Sequence, residues 1–383
     1  MKKNVPLSED ILSLWWGFID ETYNPWIISE LTAKAISDRG YNILQYNDSL
    51  WLPELRKHGS DFLKKSFWID GIQNDEIMIT NGATAGIDLA GRYVLQWKYD
   101  SIALIPVYDT ALESLKRNSK DVLTVELWIF EGESMIDWNR LEHLMSRQDT
   151  KLIYINTNFQ NPTWIVFDEE TKKKIYELAK KHWVTILEDD PYKLYNFQWQ
   201  DLWWNIVNMD EGKEHVVYLN SISKVFYPWM RIGFLVWNRE LVHGISELQK
   251  YSTSSPNLIM QWASIEAFER GEIDRSIVHY MREVREKSDI ITQALINIDL
   301  IWEASPVEFS HSRWGFYLWW KFRDGRNTDE LSREALQYGV SFVPWSIYWP
   351  WIEYNDSFRM AYDQIDKSRI EEAVYRFNKL VRK

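Results

Sequence analysis

The chain has 383 residues, with 44 Lys and Arg against 56 Asp and Glu for a net charge of −12, no Cys, and 23 Trp against 15 Gly. That length predicts two or three domains with a sizeable core. The acidic balance without a basic run argues against a nucleic-acid partner, and the lack of Cys excludes disulfides, thiolate nucleophiles and Cys-ligated zinc.

The N-terminus, Met1-Lys2-Lys3-Asn4 running into Ser8-Glu9-Asp10, has no signal-type apolar region, and no 18-residue apolar stretch follows, so a soluble cytoplasmic protein is expected. From about residue 77 to 237, short apolar runs alternate with charge-rich amphipathic segments. Ile77 to Thr80, Ile102 to Pro106, Val122 to Glu126, Leu152 to Asn156, Val184 to Asp189, Val216 to Asn220 and Ile232 to Trp237 read as strands, with a helix at Glu169 to Lys181. The alternation predicts an α/β domain on a mostly parallel sheet. Residues 238 to 296 read as mainly helical. Beyond 297 the pattern becomes strand, helix and strand, with a strand at Phe316 to Phe322 and helices at Thr328 to Tyr338 and Lys367 to Lys379, which predicts a second, smaller domain. No repeat or polar linker separates the two, so they should pack closely.

Chemistry-bearing residues gather where these strands end. Ser221-Ile222-Ser223-Lys224 follows a strand, with Arg231 seven residues on: two hydroxyls and a guanidinium fork suited to phosphate, beside an amine that becomes a nucleophile when desolvated. Taken alone, a Lys after a strand is more often a solvated turn residue. Glu188-Asp189-Asp190-Pro191-Tyr192 places carboxylates at the C-terminal end of another strand, where parallel sheets bind ligands and where one could hold a pyridinium nitrogen protonated. Asn158-Phe159-Gln160-Asn161-Pro162-Thr163 brings an amide to the same crevice, and Thr80-Asn81-Gly82-Ala83-Thr84 joins a strand to a helix N-terminus, an anion site. The seven His are scattered without partners at ligand spacing, so no metal is expected.

The order Asn-Gly-Ala-Thr, Pro-x-Tyr, Asn-Pro-Thr, Glu-Asp-Asp-Pro-Tyr, Ser-x-Ser-Lys and Arg resembles the fold-type I pyridoxal-phosphate aminotransferases, most closely the subgroup of 2-aminoadipate, kynurenine and aromatic aminotransferases. The resemblance runs from Leu44-Gln45-Tyr46 through Phe358-Arg359-Met360. It implies an N-terminal segment, 1–44, packed against the small domain and substrate site; a large domain, 45–290, that binds the cofactor; and a small α+β domain, 291–383. It further implies Lys224 as Schiff-base lysine and proton shuttle, Asp189 on the pyridine nitrogen, Tyr192 and Asn161 on the cofactor's 3′-oxygen, and Tyr108 stacked on its ring. Phosphate binding falls to Gly82, Ala83, Thr84, Ser221, Ser223 and Arg231, with Tyr46 of the partner subunit reaching in, so a homodimer is implied. Arg359, with Asn161 and Trp16, would hold the substrate. Asp190 is the rival of Asp189, Arg359 has a surface-strand alternative, and Thr84 could simply cap the helix from Ala85 to Leu95.

The implied reaction is transamination from an amino acid to a 2-oxo acid such as 2-oxoglutarate. A β-lyase on the same fold is the enzymatic alternative. The effector domain of a transcription regulator is the non-catalytic one, disfavoured because only about 40 residues precede Tyr46 and hold no basic recognition helix.

The departures from the family share one form: Trp stands where Gly is expected, at 16, 51, 164, 183, 229, 237, 314 and 345. Gly serves positive φ and close backbone approach, which an indole fits poorly. Fifteen Gly is also low against an average near 7%. A gene that uses UGA for glycine, written out with UGA as tryptophan, would account for both; the alternative is that these Trp are real and form an aromatic-lined pocket. Trp229, two residues before Arg231, is the position expected to be tightest, and Trp319 or Trp320 is expected to be genuine.

Overall fold

The computed structural model describes residues 11–15, 17, 23–45, 52–130, 135–196, 204–253, 257–301, 305–310, 315–348 and 355–383. In chain order the elements are β1 (Leu12–Ser13), α1 (Ile27–Arg39), α2 (Pro53–Phe67), β2 (Ile77–Asn81), α3 (Ala83–Leu95), β3 (Asp100–Ile105), α4 (Asp109–Asn118), β4 (Val122–Glu126), α5 (Trp138–Met145), β5 (Thr150–Ile155), α6 (Glu169–His182), β6 (Thr185–Asp189) and β7 (Val216–Ser221). There follow β8 (Ile232–Val236), α7 (Arg239–Thr253), α8 (Leu258–Glu269), α9 (Glu272–Asn297), β9 (Val307–Phe309), β10 (Tyr317–Phe322), α10 (Thr328–Ala335), β11 (Val340–Ser341), β12 (Val343–Pro344), β13 (Ser357–Ala361) and α11 (Ile370–Val381).

Seven strands form one sheet in the order β2-β8-β7-β6-β5-β3-β4. Strands β3 to β7 are mutually parallel, and β8 runs antiparallel to both β7 and β2. Because helices cover both faces, the strands read as continuous apolar runs, and β3 and β7 are buried along their whole length. One apolar cluster lies on each side: Ile79, Ile102, Ile153, Ile186 and Phe234 point one way, while Met78, Ala103, Leu152, Leu187 and Leu235 point the other.

The second sheet, β12-β13-β10-β9, is antiparallel and carries its own core with α9, α10 and α11. Phe358 sits at its centre, its ring 5.2 Å from Phe322, 4.8 Å from Phe342 and 5.6 Å from Phe377. The N-terminal strand β1 joins this region: Leu12 pairs in parallel with Val340, and the Leu14 carbonyl accepts from Ala361 N–H at 2.8 Å. Two expected helices are shorter at their starts or ends than the sequence suggests, because single 3₁₀ turns finish the first (336–338) and open the last (367–369). No described helix is long and apolar enough to cross a membrane.

Removing the Phe358 ring leaves a void lined by Trp320, Phe322, Phe342 and Phe377. Phe358→Ala is expected to cost about 3–5 kcal/mol, measurable as a lower denaturant midpoint with an unchanged slope.

Candidate active site

The site lies at the C-terminal ends of β5, β6 and β7, where the sheet meets the small domain and the N-terminal segment. Strand β6 ends in Glu188-Asp189 and continues into Asp190, and successive side chains alternate in direction. All three carboxylates are buried, at 0%, 4% and 0% exposure. Asp190 turns away from the site and is fully engaged: it accepts from Asn158 Nδ2 at 3.0 Å, Asn205 Nδ2 at 2.5 Å and the Tyr218 hydroxyl at 3.0 Å. Asp189 receives the Tyr154 hydroxyl on Oδ2 at 2.8 Å, and its Oδ1 is buried with no partner among the described residues. Burial drives the Asp189 carboxyl up to about 7; the Tyr154 hydrogen bond and Lys224 pull down, and the Asp190 charge pushes up.

Lys224 follows β7 in a short 3₁₀ turn. Its Nζ donates to the Gly17 carbonyl at 3.0 Å and lies 5.3 Å from the centre of the Tyr192 ring. Burial brings the ammonium down to about 8, opposed by the carboxylates of Asp363 and Asp189 and reinforced by Arg359 and Arg231. The Tyr192 hydroxyl shares a 2.9 Å hydrogen bond with that of Tyr317, and the Arg359 guanidinium stacks 4.3 Å from the Tyr317 ring. Arg359, on β13, is buried. One terminal nitrogen donates to Asn161 Oδ1 at 2.9 Å and the other to the Trp15 carbonyl at 2.5 Å, while Nε is buried and unpartnered among the described residues.

A second group of residues frames an anion cradle beside this chamber. Gly82, at φ 77°, caps α3, so the first turn of that helix, Ala83 and Thr84, presents N–H groups that helix geometry leaves unpaired. A Cβ on Gly82 would lie 2.2 Å from the Arg231 guanidinium, so only glycine lets that cation approach. Arg231 donates to the Asn81 carbonyl at 3.1 Å. Ser221 and Ser223 have their hydroxyl oxygens 2.8 Å apart, and Ser221 Oγ accepts the Ser223 N–H at 3.0 Å. Tyr108 stands at the start of α4; burial raises its hydroxyl, with the Thr110 and Thr84 hydroxyls opposing.

The structure thus brings Lys224, Asp189, Tyr192, Asn161 and Arg359 together, and Gly82, Ala83, Thr84, Ser221, Ser223 and Arg231 beside them. Tyr46 and Trp16 lie outside the described residues. Sequence reasoning missed Tyr154, which carries no motif, and the carbonyls of Trp15 and Gly17, which only folding of the N-terminal segment delivers. It also missed Asp363, two residues past β13 and 1% exposed, whose carboxylate oxygens have no partner among the described residues. Lys287 Nζ donates to its main-chain carbonyl, and burial pushes its carboxyl far up against the pull of Lys287, Lys224 and Arg359.

Among the tryptophans, Trp229 is not the tight position: it lies in the turn Pro228–Met230 and is 89% exposed. Trp237 and Trp345 are buried, each with an indole nitrogen that has no partner among the described residues. Trp16, Trp51 and Trp314 lie outside the described residues.

A family model for aminotransferase class I and II matches residues 23–377. The chain is 24% identical over 362 residues to a 2-aminoadipate transaminase of Thermus thermophilus, covering 92% of this chain and 85% of that one. It is 23% identical over 384 residues to aromatic-amino-acid aminotransferase 1 of Thermococcus litoralis, covering 98% and 89%. The structure superposes on the kynurenine aminotransferase of Pyrococcus horikoshii with a TM-score of 0.86 at 24% identity, covering 98% of this chain and 91% of that one.

The raised Asp189 carboxyl has a consequence for stability. Between its ordinary value of 3.8 and about 7 the folded chain holds a proton that the unfolded chain has released, so this group's contribution falls as pH rises through that window. In cofactor-free protein, the Tm of Asp189→Asn minus that of the parent should therefore grow from pH 4 to pH 7. Parallel profiles would show that the carboxyl titrates normally.

Proposed function

The chain belongs to the class I and II aminotransferase family, and from that premise we propose that it moves the amino group of an amino acid to 2-oxoglutarate in two half-reactions that share one set of residues. Pyridoxal phosphate, the cofactor of the family's enzymes, supplies when bound an aldehyde that condenses with amines and a ring that takes up electrons. The residues present fit it. The unpartnered Oδ1 of Asp189 suits the ring nitrogen, and the cradle of Gly82, Ala83, Thr84, Ser221, Ser223 and Arg231 suits a phosphate dianion. Asn161 and Tyr192 would take the ring oxygen, and Tyr108 the ring face.

The reading is carried by that single buried oxygen of Asp189, held in the same chamber as Lys224. A carboxylate with nothing to bind costs several kcal/mol in such a place, and a cationic N–H opposite it removes the penalty. Lys224, poised near pH 8, can hold a proton or release it close to neutrality, which suits a base that takes a proton from a carbon and returns it elsewhere. Arg359 presents a planar fork whose Nε is unpartnered, matched to a carboxylate common to amino-acid and oxo-acid substrates. Because both substrates would use this fork in turn, a ping-pong order follows. A cytoplasmic homodimer, with Tyr46 of the partner subunit completing the phosphate cradle, is part of the proposal.

A panel of amino donors, including 2-aminoadipate, kynurenine, phenylalanine and aspartate, with 2-oxoglutarate as acceptor should give parallel double-reciprocal lines for the donor that is used. Intersecting lines would exclude the ping-pong order. Asp189→Asn should lower kcat by orders of magnitude without lowering Tm at pH 7. Asp190→Asn should do the reverse, because it disturbs a closed network and faces away from the site; equal losses of kcat would refute the assignment. Arg359→Lys keeps the charge and loses the fork, so the apparent affinities for donor and acceptor should fall together, by roughly tenfold or more for the 1.5–3 kcal/mol of a charged hydrogen bond. Unchanged affinities for both would place the carboxylate elsewhere.

A further inference from the structure

Among the described residues nine non-glycine positions hold a positive φ, and four of them are tryptophan: Trp68 at 57°, Trp97 at 59°, Trp164 at 60° and Trp183 at 55°. This is the left-handed region that an L residue with a bulky side chain rarely enters and that glycine enters freely. Two of the four close helices. Trp68 follows α2 and sends its N–H back to the Leu63 carbonyl; Trp183 follows α6 and sends its N–H to the Ala179 and Lys180 carbonyls. These are left-handed C-terminal caps, the position where helices most often carry glycine.

Two of the four side chains stand largely in solvent. Trp97 is 64% exposed and Trp183 73% exposed, the reverse of what so large an apolar ring ordinarily does. Trp164 is the opposite case. It sits in the turn after Asn161-Pro162-Thr163 and is 1% exposed, with its ring 5.3 Å from Tyr192 and 5.4 Å from Tyr317, the two tyrosines that line the chamber of Lys224 and Arg359. Gly315 is pressed so close that a Cβ there would lie 1.8 Å from the indole. By contrast Trp319 lies within strand β10, where aromatic residues are favoured, is 1% exposed, and packs against Tyr348 at 5.7 Å.

We propose that positions 68, 97, 164 and 183 are glycine in the protein its source cell makes, their codons being UGA read as glycine, and that Trp319 is genuine. The inference rests on backbone conformation and burial, and stands whether or not the chain is an aminotransferase. Two of these positions, 68 and 97, are not among those the motif comparison singles out, so the backbone extends the pattern independently of it. With glycine at 164, the volume now filled by the indole becomes free space against Phe159, Tyr192, Phe316 and Tyr317.

The direct test is peptide mass spectrometry on the protein isolated from its source, read together with the gene. Glycine at 68, 97, 164 and 183 with UGA codons, and tryptophan at 319 with UGG, is the expected result; tryptophan in the native peptides at the four positions overturns the proposal. A second test uses the chain made with tryptophan throughout. Deleting a buried indole ordinarily lowers Tm sharply, and Trp319→Gly should do so. Trp164→Gly should leave Tm unchanged or raise it, and Trp183→Gly should be more stable than Trp183→Ala. A fall for Trp164→Gly as large as that for Trp319→Gly, or a Trp183→Gly no better than Trp183→Ala, would contradict the proposal.

Discussion

Three consecutive carboxylates at the end of β6 are taken out of water, and a buried carboxylate survives only with partners that replace its hydration. Glu188 finds them in the Ile206 and Val207 N–H groups, at 3.0 and 2.9 Å, and in the Thr157 hydroxyl at 2.8 Å. Asp190 finds them in Asn158, Asn205 and Tyr218. Two buried lysines anchor that shell: Lys172 donates to Asn158 Oδ1 at 2.8 Å and Lys193 to Asn205 Oδ1 at 2.5 Å. Asp189 alone is left half satisfied, on the opposite face of the strand. The network around its neighbours holds the β6 terminus rigid and leaves one oxygen aimed into the chamber, which is the condition for binding a cation there.

The same logic extends to the cations facing it. Lys224 and Arg359 come from different domains, and both are held by main-chain carbonyls of the N-terminal segment, Gly17 and Trp15. That segment is itself fixed to the small domain by the β1 to β11 pairing and the Leu14 to Ala361 hydrogen bond. Sheet, small domain and N-terminal segment therefore meet at one polar junction. Neutral carbonyls occupy the two cations without neutralising them, so the Arg359 fork keeps its full charge.

Much of this junction is legible in the sequence, and the reason is physical. A strand buried on both faces must be apolar along its length, so β3, β5, β7 and β8 stand out as runs, and polar residues at their C-terminal ends mark the crevice. Lys224, Asp189, Asn161 and Arg359 were visible because each sits in a local motif at such an end. Tyr154, Tyr317 and Asp363 were not, because their importance comes from packing between segments far apart in the chain: Tyr154 reaches Asp189 across 35 residues and Tyr317 reaches Tyr192 across 125. Helix ends were off by a turn where 3₁₀ geometry finishes them. The tryptophan pattern was visible as an excess, but only the backbone separates Trp164 and Trp183, in left-handed conformation, from Trp229 in an exposed turn and from Trp237 and Trp345 in the core.

In the proposed reaction Lys224, whose ammonium burial brings down to about 8, carries a proton to and from the substrate's α-carbon opposite Asp189. The most direct measurement is loss of deuterium from the α-carbon of the preferred amino donor in ordinary water, followed by NMR with the cofactor-loaded enzyme and no acceptor present. The parent chain should wash the label out while Lys224→Ala, still folded and still binding cofactor, should retain it. Washout that persists at a comparable rate in Lys224→Ala would show that another group moves the proton and would contradict the account.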